Sequence, residues 1–199
     1  MHALDAITLA HVAAELNGLL AGAKVNRIQH PGEDEFLINL WGGQKHTDTG
    51  KDREGRNNLY INLSPEFAFC ALIANDEKDD LIITTLEKPT GFCMLLRKHL
   101  NGARVVSVDT LPGERVLNLR FENFNELGNK VILLLSLELM GKHTNMILYD
   151  DVQEIILGVA HGDVDQAERG IGACRVPIDE QRVAPVDRAR KVSDQIAGQ

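Results

Sequence analysis

Three short stretches carry the residue types that chemistry needs. In Phe92–Leu100, Phe92, Leu95, Leu96 and Leu100 fall at helical spacing, and Arg97, Lys98 and His99 crowd the end. That pattern gives an amphipathic helix whose polar edge ends in cations. Arg97 offers a planar fork of donors suited to phosphate oxygens, and Lys98 offers a point charge. The same residues also suit a packed helix with solvated charges. In Gly113-Glu114-Arg115-Val116, Gly113 allows a tight turn and a charged pair enters a strand directly after it. Successive strand residues face opposite ways, so Glu114 and Arg115 need not pair with each other. The pair fits either a solvated turn or an RNA contact, with arginine on phosphate or base and the carboxylate accepting from a base amine or a 2′-hydroxyl. In Glu138–Asn145 an apolar strand ends at Met140, Gly141 lets the backbone turn, and Lys142, His143, Thr144 and Asn145 follow as a polar cluster. That cluster could cradle a phosphate or cap a turn.

Catalytic patterns find no match. There is no GxSxG, HExxH, P-loop or GxGxxG motif. None of the seven histidines stands four residues from another, so no helical metal pair forms, and they are expected as surface or satisfied turn histidines. Cys93 lies inside the apolar helix with no base nearby, which argues against a nucleophile. No cofactor is implied.

Composition sets the bounds. The chain has 199 residues, 44% hydrophobic and 25% charged, as ordinary globular domains do. Twenty-one basic against twenty-nine acidic residues give −8, which excludes a basic nucleic-acid coat. Aromatics at 5% argue against a platform of stacking rings. Between Gly91 and Arg120, however, five basic residues (Arg97, Lys98, Arg104, Arg115, Arg120) outnumber two acidic ones (Asp109, Glu114), a local +3. Cys70, Cys93 and Cys174 are odd in number and form no CxxC pair, so buried free thiols in a reducing compartment are expected. The opening Met1-His2-Ala3 lacks a basic secretory leader. The apolar run Val131–Leu137 is far short of the roughly 20 residues a membrane span needs. The expected location is the cytoplasm, with no membrane contact.

The elements that must position these stretches alternate. Leu9, Val12, Ala13, Leu16, Leu19 and Leu20 predict a helix over about 7–20, closed at Gly22. Strands are expected at 24–29, 35–41, 58–63 and 81–86. The stretch 42–57 reads as an exposed loop, and 67–74 fits either strand or helix. Thr90 caps the second helix, and Asn101-Gly102 ends it. Strands at 103–109, 115–121, 130–139, 145–149 and 154–159 follow, with links short enough for antiparallel pairing. Beyond His161 the apolar periodicity fades. The expected organisation is an α+β core domain over 1–160 and a polar linker, or the start of a following segment, over 161–199.

These stretches resemble the NFACT-N domain of the fibronectin-binding protein A family, which includes bacterial ribosome quality control protein H and the eukaryotic nuclear export mediator factor. Phe92–Leu100 reads FCMLLRKHL, as the family segment does. Glu138–Leu148 is similar to the family's ELMGKHSN-I-L, with Thr144 for Ser and Met146 for Ile. Asp5, Glu15-Leu16, Gly22 and Ile28-Gln29 resemble its opening helix and strand. The resemblance covers about 1–160, and family members continue into helix-hairpin-helix, coiled-coil and C-terminal segments. It implies an antiparallel β-sandwich-like core with flanking helices, akin to the N-terminal domain of formamidopyrimidine-DNA glycosylases. The glycosylase chemistry is not implied, because Met1-His2-Ala3 stands where those enzymes have a catalytic proline and a glutamate. The implied function is a non-catalytic RNA-binding module that holds tRNA on the stalled large ribosomal subunit and supports C-terminal alanine tailing of the nascent chain. The family's Asp-Arg pair, required for that work, matches Glu114 and Arg115, where the acid is one methylene longer. Fibronectin is the alternative partner, through an adhesin-like interaction module.

Overall fold

The computed structural model describes residues 5–43, 55–73 and 85–162. Helix α1 (Ala6–Leu20) starts where the Asp5 carboxylate accepts from the Thr8 N–H at 2.7 Å, a bond that also holds the Asp5 carboxyl below its ordinary pKa. Its buried side, Leu9, Ala13, Leu16 and Leu20, follows the expected stripe. Helix α2 (Gly91–Leu100) is capped by Thr90, whose hydroxyl accepts from the Cys93 N–H, and it buries Phe92, Cys93, Leu96 and Leu100.

Nine strands complete the fold: β1 (Lys24–Gly32), β2 (Glu35–Trp41), β3 (Arg56–Asn62), β4 (Phe69–Ile73), β5 (Arg104–Thr110), β6 (Val116–Phe124), β7 (Lys130–Glu138), β8 (Asn145–Asp150) and β9 (Ile155–Val159). They form one sheet in the order β4-β3-β2-β1-β5-β6-β7-β8-β9, and every pairing is antiparallel. Only one register pair, Lys24 opposite Arg104, joins β1 to β5, so the sheet divides there into two halves. One apolar cluster takes Ile28, Phe36, Ile38, Leu59 and Ile61 from the first half and Val105, Leu119, Phe121, Leu135 and Leu148 from the second.

The sheet must curl to make that cluster. In a flat sheet, five strand spacings would hold β9 about 24 Å from β1. Yet His161, just past β9, places Nε2 2.9 Å from the Asp34 carboxylate in the β1–β2 turn, and α2 packs against both β1 and β9. The run Leu133–Leu137 on β7 is buried on both faces, which explains why it is almost wholly apolar instead of alternating.

The ambiguous stretch 67–74 contains strand β4, because its residues pair with β3 from Phe69 to Ile73. The strand expected at 81–86 falls mostly outside the described residues. Its last two residues lie outside any strand, and the Leu86 N–H donates to the His30 carbonyl. The expected loop at 42–57 ends earlier than predicted, with β3 starting at Arg56, and 44–54 lies outside the described residues. So do Cys174 and all of the expected linker beyond Gly162. Cys70 and Cys93 are buried free thiols, and burial pushes the Cys70 thiol up to about 12. His30 departs from expectation. It is fully buried against Phe36, with neither ring nitrogen in a hydrogen bond, because the apolar β1–β2–α2 junction closes over it. Among the described residues, no helix is long and apolar enough to cross a membrane.

Candidate nucleic-acid interface

The β5–β6 link is a type II turn. Pro112 follows Leu111, Gly113 takes φ +82°, and the Glu114 N–H donates to the Leu111 carbonyl at 3.1 Å. A side chain at position 113 would strain this turn, so glycine fixes where the next two residues emerge. Glu114 is exposed and Arg115 is half-buried. The Arg115 carbonyl accepts from the Leu139 N–H at 2.9 Å, which ties the turn to the end of β7. Neither side chain forms an ion pair or hydrogen bond among the described residues.

The next segment stands at the same end of the sheet. A single 3-10 turn, Gly141–His143, is held by Thr144, whose hydroxyl donates to the Gly141 carbonyl at 2.6 Å. It leaves Lys142 and His143 exposed. Asn145 is committed internally: its amide donates to the His161 carbonyl, and its oxygen accepts from the Met146 and His161 N–H groups. The His161 ring lies between the Thr144 carbonyl at 3.0 Å and the Asp34 carboxylate at 2.9 Å, and donating to both requires both ring nitrogens protonated. His161 and Asp34 are 127 positions apart, and no sequence signal couples them.

The structure therefore places Glu114, Arg115, Lys142 and His143 at one end of the sheet and sets Arg97 and Lys98 apart from them. Asn123 on β6 donates to the His99 carbonyl, so the last turn of α2 lies beside the far end of that strand. Asn123 and Arg115 are eight positions apart along extended chain, roughly 26 Å. Arg97 is also partly committed: its Nε donates to the Ile28 carbonyl at 2.9 Å and pins α2 to β1. Lys98 is exposed. Arg120 does not join a basic face, because it holds Asp109 at 3.0 Å and stands 3.6 Å from Asp151, with its side chain only 13% exposed. The local +3 of the sequence is thus spread over both ends of the molecule.

Charge at the Glu114–Arg115 end is mixed. Exposed Glu33 flanks Asp34, and the built position for a Gly141 side chain would lie 3.8 Å from the Pro65 carbonyl, which brings exposed Glu66 to the same end. Such a surface suits reading of local structure, with cations on phosphate and carboxylates accepting from amines or hydroxyls, better than a uniform phosphate clamp. Among the described residues, no three side chains are grouped to hold a metal.

Comparison with known proteins fits this architecture. The family model described as "NFACT N-terminal and middle domains" matches residues 5–172. The Rqc2 homolog RqcH of Streptococcus suis is 30% identical over 158 residues, which is 79% of this chain and 26% of that protein. The Rqc2 homolog RqcH of Bacillus subtilis is 25% identical over 148 residues, 74% of this chain and 23% of that protein. The chain thus spans about a quarter of the length of these curated relatives. The solved N-terminal part of the fibronectin/fibrinogen-binding protein of Streptococcus suis superposes with a TM-score of 0.67 at 28% identity, over 79% of this chain and 53% of that one. The N-terminal domain of the fibronectin-binding protein PavA of Streptococcus pneumoniae gives 0.67 at 22% identity, over 98% and 69%, and shares the fold. With more than four-fifths of its residues inside the matched region and an RqcH relative at 30% identity, this chain belongs to the NFACT family.

Proposed function

We propose that this chain is the RNA-binding module of a ribosome quality control factor, acting in the cytoplasm on tRNA at the stalled large ribosomal subunit in support of C-terminal alanine tailing. The supporting observation is the Glu114–Arg115 pair: a rigid type II turn presents both side chains at one sheet end, beside exposed Lys142 and His143, with no other partner among the described residues. Arg115 takes a phosphate or base edge, and Glu114 accepts from a base amine or a 2′-hydroxyl. Lys142 and His143 add contacts to the backbone. Asn145 shapes their turn from within, and Arg97 and Lys98 serve the remote end. The work is positioning, and bond-making belongs to the ribosome. We also relate the curled sheet and its two helices to the N-terminal domain of formamidopyrimidine-DNA glycosylases, without that chemistry.

The test is tRNA binding by the purified chain. Arg115→Ala is expected to weaken it about tenfold and to reduce the salt slope by about one. The second reading, an adhesin-like module that binds fibronectin, draws on the names of the Streptococcus structures. Saturable fibronectin binding unaffected by Arg115→Ala, without tRNA binding, would favour it.

A further inference from the structure

Away from the Glu114–Arg115 end, one row of side chains crosses four strands. Arg56 on β3 is the register partner of Trp41 on β2, Trp41 of Lys24 on β1, and Lys24 of Arg104 on β5. Directly opposed residues project from the same face, so the four stand side by side. All four are exposed, and Trp41 is 52% exposed. The Arg56 guanidinium lies 5.8 Å from the centre of the Trp41 ring, within cation–π range. A bulge in β1 adds a further cation. Val25 pairs with Leu40 and Arg27 with Asn39, so the bulge at Asn26 turns Arg27 outward on the face of Lys24.

Among the described residues, acidic side chains are scarce along this row. Glu122 follows Arg104 in register, but its carboxylate already binds Lys130 at 2.7 Å. Arg104 anchors one nitrogen on the Gly22 carbonyl at 2.7 Å, which orients the rest of its fork. Like charges directly opposed across two strands destabilise the pairing. Here the one register pair that joins the two halves of the sheet is a lysine opposite an arginine. A polyanion laid across the row would relieve that repulsion.

We propose that this row binds a single strand of nucleic acid, with Lys24, Arg27 and Arg104 on phosphates and Trp41, backed by Arg56, stacking a base. Three strand spacings, about 14 Å, span about four phosphates of a stacked strand at roughly 3.4 Å each. The exposed ring set among cations distinguishes this occupant from an acidic peptide, because every base brings a π-face and a carboxylate does not. The site lies beyond the tRNA reading above, near the opposite end of β6 from Arg115, and stands independently of it.

Trp41 is the sole tryptophan of the chain, so its fluorescence reports on this row alone. Titrating the full chain with a single-stranded oligouridine of about ten nucleotides is expected to quench it saturably, with a log–log salt slope of about −2 for the three cations on phosphates. Trp41→Ala, followed by anisotropy of a labelled oligonucleotide, should weaken binding about five- to a hundredfold. Lys24→Glu should weaken binding about tenfold or more while raising the melting temperature, because it replaces an opposed like-charge pair with an opposite one. Lys88→Glu, the same charge change at an exposed lysine outside the row, should leave binding intact. Absence of quenching at low salt, an equal loss in Lys88→Glu, unchanged affinity in Trp41→Ala, or equally tight binding of polyglutamate would each overturn the proposal.

Discussion

At the scale of single residues, buried His30 makes the fold sensitive to acid. Burial holds its pKa below the ordinary 6.5, partly offset by a contact with the Glu33 backbone that falls short of hydrogen-bond geometry. The unfolded chain therefore takes up the proton first. Stability from this site is complete above about pH 6.5 and is lost as pH falls below that value toward the folded pKa. Burial lowers His99 in the same direction. Leucine at position 30 removes the titrating group at similar size, so His30→Leu should shrink the drop in melting temperature between about pH 7.5 and pH 5. An undiminished drop would move the cause to other groups. Single-residue signals were legible in the sequence where they act locally. Thr90 caps α2 and Gly113 shapes its turn through neighbours within three positions. The isolation of His30 was not legible, since it arises from Phe36 and Phe92 on other elements.

At the scale of elements, α2 bridges β1 and the edge strand β9, and Gly158 on β9 sets how closely it approaches. A Cβ there would lie 2.5 Å from a Leu95 methyl and 3.5 Å from the Phe92 ring. The flexible Leu95 end can yield to one methyl, but a branched side chain demands more room. Gly158→Val should cost about 1–3 kcal/mol in urea unfolding, and Gly158→Ala clearly less. Helix α2 was legible almost to the residue because its apolar stripe and both ends are written in contiguous sequence. Its relation to the Glu114–Arg115 turn was not, and the two cationic stretches that look adjacent in sequence sit near opposite ends of β6. The row through Trp41 was hidden for a related reason. It depends on strand register and on one bulge, whereas composition records only that aromatic residues are few.

At the scale of the whole molecule, Asn145 and His161 fasten the curled sheet by joining the start of β8, the end of β9 and the β1–β2 turn. Asn145→Ala removes the side-chain bonds to the His161 backbone, and about 1–3 kcal/mol of stability should go with them. A loss of RNA affinity with stability unchanged would instead make Asn145 a direct contact. The antiparallel α+β class was legible from short strands and tight links, whereas the closure between residues 34 and 161 was not, because nothing local encodes it. The central claim is that this fold presents Glu114 and Arg115 to tRNA. The most direct test is tRNA binding across a salt series for the wild type, Arg115→Ala and Arg115→Lys. The account predicts salt-sensitive binding that weakens about tenfold in Arg115→Ala, with partial recovery in Arg115→Lys. Equal binding by all three folded proteins, or none by the wild type at low salt, would contradict it.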